Sequence, residues 1–164
     1  MPTPAYIENI RRSYGSGLLL LPGVTAVVLR PDEGGDERQL LLVRRADSGH
    51  WTLPAGIVEP NEQPADTLVR EVLEETCVHI RPRSLAQLTM DEAITYPNGD
   101  HCQFLAMTFR CDYLAGDAQV GDEESTEVRW CALSELPGLS ARDLRRIASA
   151  LSPDARTVFD AGIV

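Results

Sequence analysis

The order of patterned segments predicts an α/β fold: one three-layer α/β/α sandwich with a mixed β-sheet. Three observations carry this. Extended, apolar runs lie early in the chain and again past residue 84. One amphipathic helix stands between them, and a second closes the pattern. At 164 residues, 43% hydrophobic and 24% charged, the chain has the size and composition of one globular domain with a real core. No repeat, linker or low-complexity run divides it, so residues 1–164 read as one domain, with 1–16 a short helical extension.

Residues 4–14 can form that helix, with Tyr6, Ile7 and Ile10 on one side, and Gly15-Ser16-Gly17 ends it. Residues 17–21 and 24–30 read as two strands broken at Pro22-Gly23. The second, VTAVVLR, is nearly continuous in apolar residues, as a strand buried on both faces should be. PDEGGD at 31–36 is a turn, and QLLLVRR at 39–45 completes a hairpin. A polar loop, 46–50, leads into WTLPAG. Residues 63–76 form the central helix, with Pro64 in its first turn, where a missing N–H is harmless. Residues 79–83 read as a connector. Residues 84–96 and 101–113 are strands joined by Pro97-Asn98-Gly99-Asp100, a strong hairpin signal. An acidic loop, 114–125, precedes a last strand at 127–132. A turn at 134–137 follows, then a helix at 140–151 with Ser140 as N-cap and Asp143 at N3. The tail, 152–164, carries no pattern.

The central helix carries the chemistry. Ala65, Leu68, Val69, Val72, Leu73 and Thr76 fall on one stripe at 100° per residue. Glu71, Glu74 and Glu75, at i, i+3 and i+4, share another face, where three carboxylates repel one another. A divalent cation relieves that repulsion, and all-oxygen ligands suit Mg²⁺, or Mn²⁺. A solvated acidic face is the ordinary alternative for such a helix.

The surrounding residues favour the cation. The stretch GIVEPNEQPADTLVREVLEETCV, residues 56–78, resembles the signature box of the Nudix hydrolases. Gly56, Glu62, Arg70, Glu71, Val72, Glu74, Glu75 and Val78 match it in place, and Cys77 stands where the pattern has Gly. Trp51-Thr52-Leu53-Pro54-Ala55-Gly56 resembles the family's entry into the box, with Ala55 replacing a glycine. The resemblance implies a Nudix-type, MutT-like or ADP-ribose pyrophosphatase-like α/β/α fold. It also implies Mg²⁺-dependent hydrolysis of a diphosphate linked to another group, with water attacking phosphorus.

Carried over residue by residue, Glu71 and Glu75 become metal ligands beside the Ala55 carbonyl, and Glu74 a ligand or base. Arg70 and Glu62 become an ion pair that orients the carboxylates. Gly56 becomes the source of backbone freedom at the turn. The acidic loop offers Asp122, Glu123 and Glu124; in the family a glutamate from such a loop can act as base, and Glu124, closest to its anchoring strand, is the choice. Outside the box, Arg44 and Arg45 end a strand near the site, and strand alternation lets one of them face phosphates. Trp51 could stack on a base or pack in the core. Tyr96 and Asp100 flank a hairpin turn and are candidates for contact with substrate or with a second copy, since the chain is compatible with a homodimer.

Other classes fare less well. A net charge of −10 argues against broad binding to a nucleic-acid backbone, so no DNA partner is expected. It leaves room for a small nucleoside diphosphate derivative: a nucleotide sugar, ADP-ribose or a nucleoside triphosphate. Cys77, Cys102, Cys111 and Cys131 form no Cys-x-x-Cys, and His50, His79 and His101 complete no zinc pattern with them. Four reduced cysteines suit a cytoplasmic protein. The apolar run 18–29 is broken and too short to span a bilayer, and the N-terminal residues lack the basic, apolar, small-residue order expected of a signal peptide. A Nudix-fold module that senses a nucleotide without hydrolysing it is the alternative function; the retained Glu71, Glu74 and Glu75 argue against it. A metal-dependent isomerase of related fold ranks third.

Overall fold

The computed structural model describes residues 4–32, 34, 38–96, 98–154 and 156–159. Helix α1 (Ala5–Tyr14) ends at Gly15, whose φ of 65° turns the chain into strand β1 (Leu19–Pro31). Strands β2 (Arg38–Arg45), β3 (Trp51–Thr52) and β4 (Ala55–Ile57) precede helix α2 (Pro64–Thr76). Strands β5 (His79–Met90), β6 (Ile94–Thr95), β7 (His101–Ala115) and β8 (Ser125–Ala132) follow, then helix α3 (Ala141–Leu151) and strand β9 (Val158–Phe159).

The sheet is mixed, in the order β3-β2-β1-β7-β5-β9, with β4 beside β1, β6 beside β7 and β8 beside β2. Strand β1 runs parallel to β7 and antiparallel to β2 and β4. The predicted burial of VTAVVLR on both faces holds, and alternation explains it. Val24, Ala26 and Val28 pack with Leu68 and Val72 of α2. Val27 and Leu29 face the other way, with Ile147 and Ala150 of α3. The sheet is therefore the middle layer of the expected sandwich. A third cluster, Ile7, Leu19, Leu21 and Cys102, fixes α1 beside one end of β1.

Three expectations need correction. Pro22-Gly23 does not break β1. Pro22 supplies its carbonyl to the Val58 N–H at 3.0 Å, and Gly23 lets the Phe104 ring lie close, where a Cβ would stand 3.2 Å away. Residues 79–83 are strand, not connector: register shifts at His79/Ile80 and Pro82/Ser84 absorb the proline, and Arg81 and Arg83 both pair with Asp112 of β7. The strand expected over 84–96 stops at Met90, and only Ile94 and Thr95 resume pairing. The tail contributes β9, parallel to β5. Glu33, Gly35 and Asp36 of the 31–36 turn, and Pro97 of the hairpin turn, lie outside the described residues. Among the described residues all four cysteines are free, and no helix is long and apolar enough to cross a membrane.

Candidate active site

Helix α2 buries Thr67, Leu68, Glu71, Val72, Glu75 and Thr76. Two of the three glutamates therefore face inward: Glu71 is 2% exposed and Glu75 7%, whereas the Glu74 side chain is 54% exposed. The acidic face expected from spacing is split, and Leu73, expected on the apolar stripe, is exposed instead. Packing with β1, β4 and β5 fixes the rotation of the helix, so its inner face carries carboxylates as well as methyls.

Gly56 is the reason Glu71 can sit there. A Cβ on Gly56 would lie 2.2 Å from Glu71 Cδ and 2.3 Å from its Oε1. Its φ is not positive, so its role is close approach and not the backbone freedom anticipated from the sequence. Burial raises the Glu71 carboxyl to about 7, opposed by Arg70 and aided by Glu74. Burial raises Glu75 to about 8, aided by Glu71 and Asp122 and opposed by the Ala55 N–H, which donates to it. Glu71 Oε1 and Glu75 Oε2 are buried with no hydrogen-bond partner; Arg70 Nη1 stands 3.1 Å from Glu71 Oε1 without hydrogen-bond geometry. Two desolvated carboxylates, each with one oxygen that accepts no hydrogen bond, fit a hard divalent cation, which supplies charge that the Arg70 contact to Glu71 alone does not. Among the described residues no three His, Cys, Asp or Glu side chains converge at ligand spacing. The pair would thus share a cation with backbone, water or phosphate oxygens.

The ion pair expected between Arg70 and Glu62 is present and bidentate: Nε to Oε1 at 2.8 Å and Nη2 to Oε2 at 3.0 Å. Arg70 first, and then Thr67, whose hydroxyl donates to Glu62 Oε2 at 2.8 Å, hold Glu62 down to about 2. Arg70 Nη1 also reaches Glu74 Oε2 at 3.1 Å. One guanidinium thus joins Glu62 of the 58–63 loop to two helix glutamates, Glu71 and Glu74. Thr67 was missed in the sequence. Its signal, a β-branched hydroxyl five residues after Glu62 in the first helical turns, is too common to stand out.

Residues 116–124 fold over the C-terminal end of α2. Gln119 N–H donates to the Thr76 carbonyl and Gly121 N–H to that of Glu75, both at 3.1 Å. A Cβ on Gly121 would meet the Glu74 carbonyl at 2.0 Å, so the loop lies flat on the helix. Asp122 is the loop carboxylate whose charge reaches Glu75. Glu124 donates its amide to Asp122 Oδ1 at 2.9 Å, and its carbonyl accepts from Ala46 at 2.7 Å. Cys77, at the box's glycine position, has φ 58°, ψ 18° and caps α2 in the left-handed conformation.

Of the two arginines, Arg45 is the one whose charge is coupled to Glu75, and it is held by Asp47. Arg44 points to Gly49 O, 3.0 Å, and Glu127, 3.8 Å. Trp51 packs against the α3-side cluster beneath the Arg129 guanidinium, 5.1 Å from its ring.

The family model for the NUDIX domain matches residues 19–151. A MutT-like protein from Streptomyces ambofaciens is 34% identical over 113 residues, covering 69% of this chain and 64% of the relative. An NAD-capped RNA hydrolase, NudC, from Stutzerimonas stutzeri is 33% identical over 125 residues, covering 75% of this chain and 40% of that one. The chain thus spans less than two thirds of the length of these relatives. Among solved structures, a MutT NUDIX hydrolase from Burkholderia pseudomallei superposes with a TM-score of 0.62 at 24% identity, covering 80% of this chain and 98% of that one; at that identity it speaks for the fold. With the box in place on α2 and the family match running over most of the chain, this protein belongs to the NUDIX family.

Proposed function

We propose that the protein is a Mg²⁺-dependent Nudix pyrophosphohydrolase that cleaves the phosphoanhydride of a nucleoside diphosphate derivative. The single observation that carries this reading is the pair of buried carboxylates, each with an oxygen that has no hydrogen-bond partner, Glu71 Oε1 having only its ion-pair contact with Arg70. Such a pair is destabilising in a protein with no cation to hold. Relatives named as an NAD-capped RNA hydrolase and a putative ADP-ribose pyrophosphatase support the substrate class.

Glu71 and Glu75 would hold the cation, with the Ala55 carbonyl beside them and Glu74 linked through water. When bound, the metal neutralises phosphate oxygens and acidifies water. The rest is done by side chains. Gly56 leaves room for Glu71. Arg70 and Glu62 lock the loop before α2 to the helix, so that the carboxylates keep one geometry. Arg45, at the rim on the Glu75 side, offers donors to phosphate oxygens. The proton of the attacking water passes to a carboxylate of the 116–124 loop. Glu124 is the residue expected from the sequence, and Asp122, whose charge reaches Glu75, is the second candidate.

Turnover of a panel of ADP-ribose, nucleotide sugars and nucleoside triphosphates, with Mg²⁺ or EDTA, tests the reading. Release of a phosphorylated product from at least one substrate with Mg²⁺ and none with EDTA is expected. Tight binding of a panel member without cleavage would instead indicate a sensing module.

A further inference from the structure

Helix α3 turns two charged side chains into the protein. Asp143 is 2% exposed and Arg146 6%, one turn before the Ile147 and Ala150 that pack on the sheet. They belong to one line of contacts. Arg146 Nη2 donates to Asp91 Oδ2 at 2.8 Å, just past the end of β5, and Arg146 Nη1 stands 3.5 Å from Asp143 Oδ1. Asp143 Oδ2 accepts from the Ser140 hydroxyl at 2.8 Å and from the Thr52 hydroxyl at 3.3 Å. Among the described residues, Asp143 Oδ1 and Arg146 Nε have no hydrogen-bond partner. Replacing a buried, partly satisfied ionic cluster by apolar residues is often neutral or stabilising, so stability alone does not account for this one.

Of these residues, Thr52 lies in the segment that enters the box. Trp51 and Leu53, on either side of it, belong to the α3-side cluster, whereas Gly56 lies against Glu71 of α2. Residues 52–56 are thus where the chain passes from the α3 layer to the α2 layer. That passage is stiff. Proline has a fixed φ and holds the residue before it in extended backbone, here Pro54 and Leu53, and Leu53 is only 1% exposed. The Pro54 carbonyl accepts from the Ala26 N–H at 2.9 Å, and pairing with β1 sets the register of Ala55 and Gly56. The entering end has less to hold it, because β3 pairs with β2 through Trp51 and Thr52 alone. The Thr52 hydroxyl ties that end to α3. A displacement at Thr52 is not taken up at Leu53 or Pro54, so it reaches Ala55 and Gly56. The spacing there is tight: a Cβ on Gly56 would stand 2.2 Å from Glu71 Cδ.

We propose that Thr52 and Asp143 are positioning residues for the cation site: their hydrogen bond fastens the 52–56 segment to α3 and so sets how Ala55 and Gly56 lie against Glu71 and Glu75. Helix α3, across the sheet from both glutamates, then takes part in holding the metal, as residues that orient a ligand set do. The inference rests on the Mg²⁺-dependent reading, and one titration separates the two. Mn²⁺, a paramagnetic stand-in for Mg²⁺, is titrated into the full chain, and the free ion is measured by electron paramagnetic resonance. A wild type that binds no Mn²⁺ overturns the cation reading, and the inference falls with it.

With binding present, Thr52→Val keeps the branched shape and removes the hydroxyl. It should raise the Mn²⁺ Kd about three- to fivefold, within what one hydrogen bond is worth. Thr52→Ser keeps the hydroxyl and loses the methyl, and should bind as the wild type does; a residue that only packs would show the reverse order. Asp143→Ala should raise Kd at least as far as Thr52→Val, and Thr52→Val added to it should raise it no further. The two Thr52 variants decide alone if Asp143→Ala does not fold. A wild-type Kd in Thr52→Val, a Thr52→Ser as weak as Thr52→Val, or effects of the two positions that multiply overturn the inference while the diphosphatase reading stands.

Discussion

Replacing Glu75 by glutamine should stabilise the metal-free protein. Glu75 is 7% exposed, and its carboxyl is raised from an ordinary 4.5 to about 8 by burial, Glu71 and Asp122. A carboxyl raised in the folded state contributes most to stability below pH 4.5 and loses that contribution as pH rises through 8. The metal-free wild type should therefore weaken between about pH 5 and pH 8. At full ionisation the difference between those two values is worth up to about 5 kcal/mol, and at pH 7 about 3 kcal/mol. Glu71 shares the titration, and the glutamine amide must still be desolvated, so about 1–3 kcal/mol is the expected gain. For a chain of this length that is roughly 2–10 °C in Tm. Thermal melts in EDTA at pH 5 and pH 8 measure it. Glu75→Gln should match the wild type at pH 5 and exceed it at pH 8. Added Mg²⁺ should raise the wild type by about 3 kcal/mol at a hundredfold excess over Kd, and the variant by much less. A variant that melts at or below the wild type at pH 8 in EDTA would refute the claim that the two carboxylates oppose each other.

Other substitutions probe separate parts of the site. Glu124→Gln should lower kcat by about 10²–10⁴ with the Mg²⁺-induced Tm shift retained; a larger loss in Asp122→Asn would move the base to that residue. Cys77→Gly relieves a left-handed conformation that costs about 1 kcal/mol and should raise the urea midpoint; a lower midpoint would mean the Cys77 side chain contributes packing that outweighs the strain. Gly56→Ala drives a methyl into Glu71, should cost roughly 1–3 kcal/mol and should abolish the Mg²⁺-induced Tm shift; a preserved shift would show that Glu71 can move without losing the cation.

The layer order, the central helix and the Arg70–Glu62 pair were legible because each rests on local spacing or on a complete motif. The left-handed cap at Cys77 was legible for the same reason: the box has glycine there. What spacing could not give was the rotation of α2. Only contact with β1, β4 and β5 decides that Glu71 and Glu75 turn in while Glu74 and Leu73 turn out. Pro22 misled for the opposite reason, and Pro82 within β5 shows the same override. Proline is a local breaker, but strand partners that accept a bulge or need only its carbonyl overrule it. Asp122 and Glu124 are indistinguishable in a run of acids until the loop is laid on the helix.

That loop has a kinetic consequence. Its amides at Gln119 and Gly121 complete the carbonyls of Thr76 and Glu75, so it serves as the cap of the helix it covers. It cannot swing away as a free flap: lifting it exposes the last carbonyls of the turn that carries Glu75. Traffic at this end of the site is then clocked by the fraying of a helix terminus. The exchange rates of the Gln119 and Gly121 amide protons with solvent deuterium would keep that time.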